Sequence, residues 1–160
     1  MNWHLISYAD ENFVEQQKFL HQTHKEGFIH HPYNRKQLET TDFYKNNQKI
    51  LDQSKGAGWW LWKPYYILET LKSIPDGDYI IYADCGDMFS PGLINYLEQT
   101  LDDNDVSLLL LGNNKNGQYT KRDCFIKMNC DEADYHDANQ LEAGFMIWKS
   151  CDESVKVCSR

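Results

Sequence analysis

Apolar positions fall into short runs and helical stripes that alternate along the chain. Leu5-Ile6-Ser7-Tyr8-Ala9 is an apolar run ending at Asp10 and reads as a strand. Asn12-x-x-Glu15 has capping-box spacing, ahead of a helical pattern through Phe13, Gln17, Leu20 and His24. Residues 27–41 are polar and broken by Pro32 and Asn34, so they predict no element, whereas residues 44–53 predict a helix. Gly56-Ala57-Gly58 interrupts the pattern before Trp59-Trp60-Leu61-Trp62, and Pro64 suits the first turn of a helix with the stripe Ile67, Leu68, Leu71 and Ile74. After the turn residues Pro75-Asp76-Gly77-Asp78, the continuous apolar run Tyr79–Ala83 predicts a strand covered on both faces. Ser90-Pro91 is expected to cap a helix that packs Leu93, Ile94, Leu97 and Leu101, and Val106–Leu111 to form the next buried strand. Thr120-x-x-Asp123 is expected to cap a short helix, and Ala143–Trp148 to form a last strand.

This alternation predicts an α/β fold, a mostly parallel, Rossmann-like sheet flanked by helices, with residues 1–160 as a single domain. Arg160 falls inside a further helical stretch with no stop signal, which suggests C-terminal truncation. No apolar run is long enough for a transmembrane segment and no secretory signal opens the chain, so a cytoplasmic protein is expected. The five cysteines are odd in number and never spaced C-x-x-C, which argues for reduced thiols over a disulfide framework or zinc ribbon. A net charge of −8 with pI near 5.1 and no basic block excludes nucleic acid as an expected partner. Nothing in the pattern specifies an oligomer.

Ligands of open α/β sheets bind beyond the carboxyl ends of strands, where Asp84-Cys85-Gly86-Asp87 follows the most apolar strand. Two carboxylates at this spacing, with Gly86 admitting close approach, can hold a hard divalent cation together with diphosphate oxygens. The same acids could instead shape the loop or cap the helix near Ser90. Lys63, Lys121 and Arg122 are candidate cations for a diphosphate; exposed basic residues otherwise remain solvated. Of Trp59, Trp60 and Trp62, one is assigned to stacking on a ligand ring and the others to the core. His21 and His24 share a helix face, with His30 and His31 nearby in sequence, but no carboxylate or Cys completes a zinc site and surface histidines are expected.

Gly56-x-Gly58-x-x-x-Trp62-Lys63-Pro64, Asp76-Gly77-Asp78 and Tyr82-x-Asp84-x-Gly86 together resemble a group of bacterial and viral GT-A glycosyltransferase-like proteins, over roughly residues 4 to 150. The resemblance implies transfer of a sugar from a nucleotide-sugar donor to a glycan or other hydroxyl acceptor, as in polysaccharide synthesis. It also implies that Asp84 and Gly86 occupy the place of the D-x-D motif holding ribose and metal. Gly86 stands where the second motif acid belongs, so either Asp87 substitutes as the ligand for Mn2+ or Mg2+ or the enzyme works without a metal. Tyr8 and Asp10, after the first strand, are implied to lie near the base and ribose, although Asp10 could simply begin a helix. Trp62 and Lys63 are implied to face the donor. Gln140–Met146 resembles the strand that glycogenin-like families place beside the donor sugar, with Glu142 where those families carry Asn. A base must take the acceptor proton in an inverting transfer, and Glu142 is preferred over Asp137 for that role. Their structural alternatives are a hydrogen bond to Lys149 or the loop for Glu142, and an exposed acidic turn for Asp137. The rival functions are a non-catalytic nucleotide-sugar or glycan binding module, and a metal-dependent phosphohydrolase, which the glycine at 86 disfavours.

Overall fold

A computed structural model describes residues 1–101 and 104–159, so the reading at Arg160 lies outside the described residues. In chain order the elements are β1 (Trp3–Ala9), α1 (Val14–Thr23), β2 (Phe28–Asn34), α2 (Arg35–Glu39), α3 (Asp42–Leu51), the single turn α4 (Gly56–Trp59), α5 (Trp62–Ser73), β3 (Tyr79–Ala83), α6 (Leu93–Thr100), β4 (Val106–Lys115), α7 (Asn116–Tyr119), α8 (Arg122–Lys127), α9 (Ala133–Asp137), β5 (Asn139–Lys149) and α10 (Asp152–Cys158). The fold is α/β, and the five-stranded sheet has the order β2-β1-β3-β5-β4. β1 is parallel to both β2 and β3, whereas β5 runs antiparallel to β3 from Tyr79↔Lys149 to Ala83↔Phe145, so the sheet is mixed. Two compact units emerge, Met1–Ser107 with Gly144–Arg160, and Leu108–Ala143. Among the described residues no helix is long and apolar enough to cross a membrane.

The larger unit is organised by the two-residue period of β1 and β3. Ile6, Tyr8, Ile80 and Tyr82 point to one face and pack with Trp62, Tyr66, Ile67 and Leu71 of α5. Trp3, Leu5, Tyr79, Ile81 and Ala83 point to the other, against Leu20 of α1 and Leu97 of α6. Every residue of both strands is buried, as expected for strands covered on both faces.

Several local expectations are corrected. Residues 28–34 form strand β2 despite Pro32, because β2 is an edge strand and an edge accommodates a residue with no N–H to donate. The Asn12 capping box does not form: the Asn12 N–H bonds the Asp10 carboxylate at 2.8 Å and α1 starts only at Val14, after Phe13. Helix α6 is preceded by Gly92 at φ 85°, and Ser90 instead accepts the Leu93 N–H through its backbone carbonyl. Thr120 does not cap α8, whose N-cap is Lys121. The Val106–Leu111 run is a strand but not a buried one, with Leu109 and Leu110 53% and 62% exposed. These leucines belong to the smaller unit, which is too short to enclose a core on both faces of a strand.

The histidines are a further correction, since they are paired and half-buried instead of lying free on the surface. His4 Nδ1 lies 2.9 Å from His31 Nε2, and His4 Nε2 lies 3.2 Å from Asp78 Oδ2. His21 Nε2 lies 2.8 Å from Ser7 Oγ, and its Nδ1 lies 2.6 Å from His30 Nδ1. Burial, reinforced by the neighbouring His30, His31 and His24, lowers the His21 pKa from 6.5 to about 4. A depressed histidine is neutral in the native state, while the unfolded chain gains a proton below pH 6.5. Its contribution is therefore complete above that pH and declines as the pH falls toward 4. Urea midpoints measured across this window should fall with acidification, and His21→Gln should flatten the decline; parallel profiles for the two proteins would contradict this assignment.

Candidate functional site

Because β1 and β3 are parallel neighbours in register from Trp3↔Tyr79 to Ile6↔Tyr82, the loops that follow them emerge at the same end of the sheet. The buried Cys85 thiol donates to the Tyr8 carbonyl at 3.1 Å and ties the two loops together. Its pKa is pushed up to about 11, first by burial and then by the Asp84 charge. β3 ends where the Asp84 N–H reaches the Gly144 carbonyl at 2.8 Å and the Asp87 carboxylate at 3.2 Å. The Asp87 N–H closes the turn onto the Asp84 carbonyl at 2.9 Å. Among the described residues a Cβ built on Gly86 would meet nothing within 4 Å, so none of them supplies a packing reason for glycine there.

Lys63 enters this loop from the first turn of α5. Its buried ammonium lies 3.2 Å from Asp84 Oδ1 and 4.5 Å from the Tyr82 ring centroid. The Tyr82 hydroxyl donates a short hydrogen bond to the same Asp84 oxygen. Burial, then the Asp84 charge, drives the Tyr82 pKa far above the ordinary phenol value. Expected as a cation for a diphosphate, Lys63 thus has its charge met by Asp84, and Asp84 is fixed by two partners on α5 and β3. In the sequence Tyr82 stands only as a member of the Tyr82-x-Asp84-x-Gly86 motif, with no role of its own; its place two residues before Asp84, on the opposite pleat from Ala83, is the signal for one.

Beside the acidic loop stands an aromatic wall. Tyr8 and Trp62 stack with centroids 4.0 Å apart at 16°. Tyr8 has its pKa raised to about 12, chiefly by burial and against the opposing charge of Arg35. Trp62 is only 5% exposed and donates its indole N–H to the Gly56 carbonyl at 3.0 Å. Tyr8, Asp10, Gly56, Trp60 and Trp62 line an open pocket of about 230 Å³. Asp10 begins no helix; its carboxylate holds the Asn12 N–H and closes the turn after β1 at the pocket edge. A second cleft, of about 790 Å³, opens on the other face of the sheet near His24, Phe28, Phe89 and Ile94.

The pocket rim is formed by an unusual segment. Gly56, Ala57, Gly58, Trp59 and Trp60 all have positive φ (58°, 48°, 101°, 54° and 56°), a left-handed turn closed by Trp59 N–H to Lys55 O at 2.7 Å and Trp60 N–H to Gly56 O at 3.0 Å. Left-handed conformation costs an L-residue other than glycine roughly 1–2 kcal/mol. The sequence marks this segment as an interruption, as part of the Gly56-x-Gly58 motif and as a source of one stacking Trp, but predicts no left-handed turn.

The remaining sequence candidates belong to the smaller unit. Arg122 is paired with Asp131 at 2.9 Å, and Asp131 also lies 2.9 Å from His136 Nε2, so Arg122 is engaged within its own unit. Lys121 is exposed and precedes α8, and Asp137 is exposed at the end of α9. Glu142 is half-buried within β5, which begins at Asn139, earlier than the expected Ala143. Among the described residues, no group of three or more His, Cys, Asp or Glu side chains could hold a metal ion.

No family model matches the chain, and no curated protein matches it. Among solved structures the chain is similar to the galactosyltransferase LgtC, solved in complex with donor and acceptor sugar analogs, at 15% identity and a TM-score of 0.48. The match covers 98% of this chain and 60% of that one, so the chain spans less than two thirds of that protein's length.

Proposed function

We propose that the chain is a GT-A-like glycosyltransferase, with residues 1–160 acting as one domain that takes a sugar from a nucleotide-sugar donor to a hydroxyl acceptor. The observation that carries this reading is the joining of two strand-end loops, Tyr8–Asp10 and Asp84–Asp87, by the Cys85 to Tyr8 hydrogen bond, the first loop lining an aromatic pocket and the second carrying a carboxylate pair. A nucleotide-sugar combines a flat ring with a charged diphosphate, and such a site offers one feature for each. Lys63 and Tyr82 are positioning residues that hold Asp84, and a preset carboxylate orients the donor without reorganising when it binds.

The donor set suits Mn2+ or Mg2+ only in company with substrate. Two carboxylates on one turn are too few for a hard cation by themselves, but suffice when phosphate oxygens complete the shell. Asp84 and Asp87 would hold such an ion, which would stabilise charge on the departing diphosphate. Glu142, with Asp137 second, is proposed as the base for the acceptor hydroxyl, and Lys121 and Arg122 as further donor contacts. A binding module without turnover is the second reading, favoured by the return of the Asp87 carboxylate to the Asp84 N–H in its own loop.

Calorimetric titration with nucleoside diphosphates and their sugars, with and without Mn2+, tests the proposal. At least one donor should bind in the micromolar range, and Asp84→Asn should weaken it by tenfold or more. Lys63→Met should weaken it less, through loss of the Asp84 partner. Release of nucleoside diphosphate in the presence of acceptors distinguishes transfer from binding alone, and the absence of binding by every donor would overturn the reading.

A further inference from the structure

The segment Gly56–Trp60 is built to a specific shape at the expense of backbone strain. A Cβ on Gly58 would fall 2.6 Å from the Leu51 Cα, so glycine there lets the turn seat against the end of α3. A Cβ on Gly56 would fall 2.5 Å from Cδ2 and 2.6 Å from Cε2 of Trp60, so the Trp60 indole lies directly over the Gly56 backbone. The Gly56 carbonyl is held in turn by the Trp62 indole N–H at 3.0 Å. The G-x-G spacing therefore has two separate causes: one glycine admits a helix end and the other admits a ring.

Trp59 and Trp60 are both strained and exposed, and Trp60 is the one that lines the pocket. At φ 56° a glycine would be unstrained, yet the position holds the largest side chain, and that side chain does not repay the strain by entering the core, since Trp60 remains 46% exposed. Its indole is braced on Gly56 and lines the same pocket as Tyr8, Asp10 and Trp62. A braced, half-open indole is a platform for a planar ring. At about 230 Å³ the pocket is several times the ~30 Å³ share of one water and below the roughly 300–1,000 Å³ of sites that enclose whole drug-sized ligands. It thus suits one ring system better than an entire nucleotide-sugar. Trp59, also exposed, lies against the Lys55 ammonium at 4.8 Å and is not among the residues lining this pocket.

The geometry points to Trp60 as the stacking residue for the nucleobase, held in place by the left-handed Gly56–Trp60 turn. This inference rests on the donor reading above and names the part of the ligand that enters the pocket. The experiment is a fluorescence and calorimetric titration of the full chain with uridine, cytidine, adenosine, guanosine and their diphosphates, together with thermal unfolding midpoints. Binding of at least one nucleoside and its diphosphate should quench tryptophan emission. Trp60→Gly should weaken binding about tenfold or more while the midpoint holds or rises, because the strained position is relaxed and only the platform is lost. Trp60→Phe should retain most of the affinity but lose the quench, whereas Trp59→Phe should keep both. Undiminished binding by Trp60→Gly would overturn the Trp60 assignment and leave the donor reading standing. A lowered midpoint for Trp60→Gly would give the ring a role in the fold and overturn it likewise. Failure of every diphosphate to bind the unaltered chain would overturn both.

Discussion

The register between β1 and β3 is the constraint on which the larger unit depends. Pairing Trp3 with Tyr79 and Ile6 with Tyr82 sends Tyr8 and Tyr82 to one face, where α5 brings Trp62 and Lys63 to meet them. A slip of one residue would turn each of these side chains to the opposite face and separate the acidic loop from its cation. The pairing also sets the Tyr8 carbonyl within reach of the Cys85 thiol. One pattern of backbone hydrogen bonds thus governs both the division of the core into two layers and the assembly of the candidate site.

Charge is organised around Asp84. A lysine as buried as Lys63 needs an anionic partner, because removing an ammonium from water without one costs several kcal/mol. Asp84 supplies that partner while remaining half exposed, with its side chain 51% accessible, so one carboxylate serves the fold and faces solvent at the strand end. Tyr82 reinforces the arrangement by donating to the same oxygen. The histidines on the β1–β2 side are bonded in pairs, His4 with His31 and His21 with His30, and burial lowers the pKa of one member of each pair, His31 and His21.

The parts legible in the sequence were those governed by local pattern. Tyr79–Ala83 was read to the residue because an apolar, β-branched run bounded by turn residues leaves few alternatives, and α5 followed from its stripe and Pro64. Strand β2 was missed because its identity comes from its edge position beside β1, which a polar sequence containing Pro32 does not announce. The exposure of Leu109 and Leu110 was missed because burial depends on what covers a strand. At the site, Asp84, Lys63, Tyr8 and Trp62 were all marked in advance, but the ion pair that absorbs the Lys63 charge arises only when α5 docks on β3. The left-handed turn was illegible for a different reason: glycines in G-x-G permit positive φ, but nothing in Trp59-Trp60 demands it.

The central claim, that the loops after β1 and β3 form one ligand site with the Gly56–Lys63 segment, is tested most directly by an amide and indole NMR titration with a nucleoside diphosphate. The account predicts shifts concentrated at residues 8–12, 56–63 and 84–87, with the indole resonances of Trp60 and Trp62 moving and that of Trp3, buried on the other face, unchanged. Shifts centred on the cleft near His24, Phe28 and Phe89, with residues 8–12 and 84–87 silent, would contradict it.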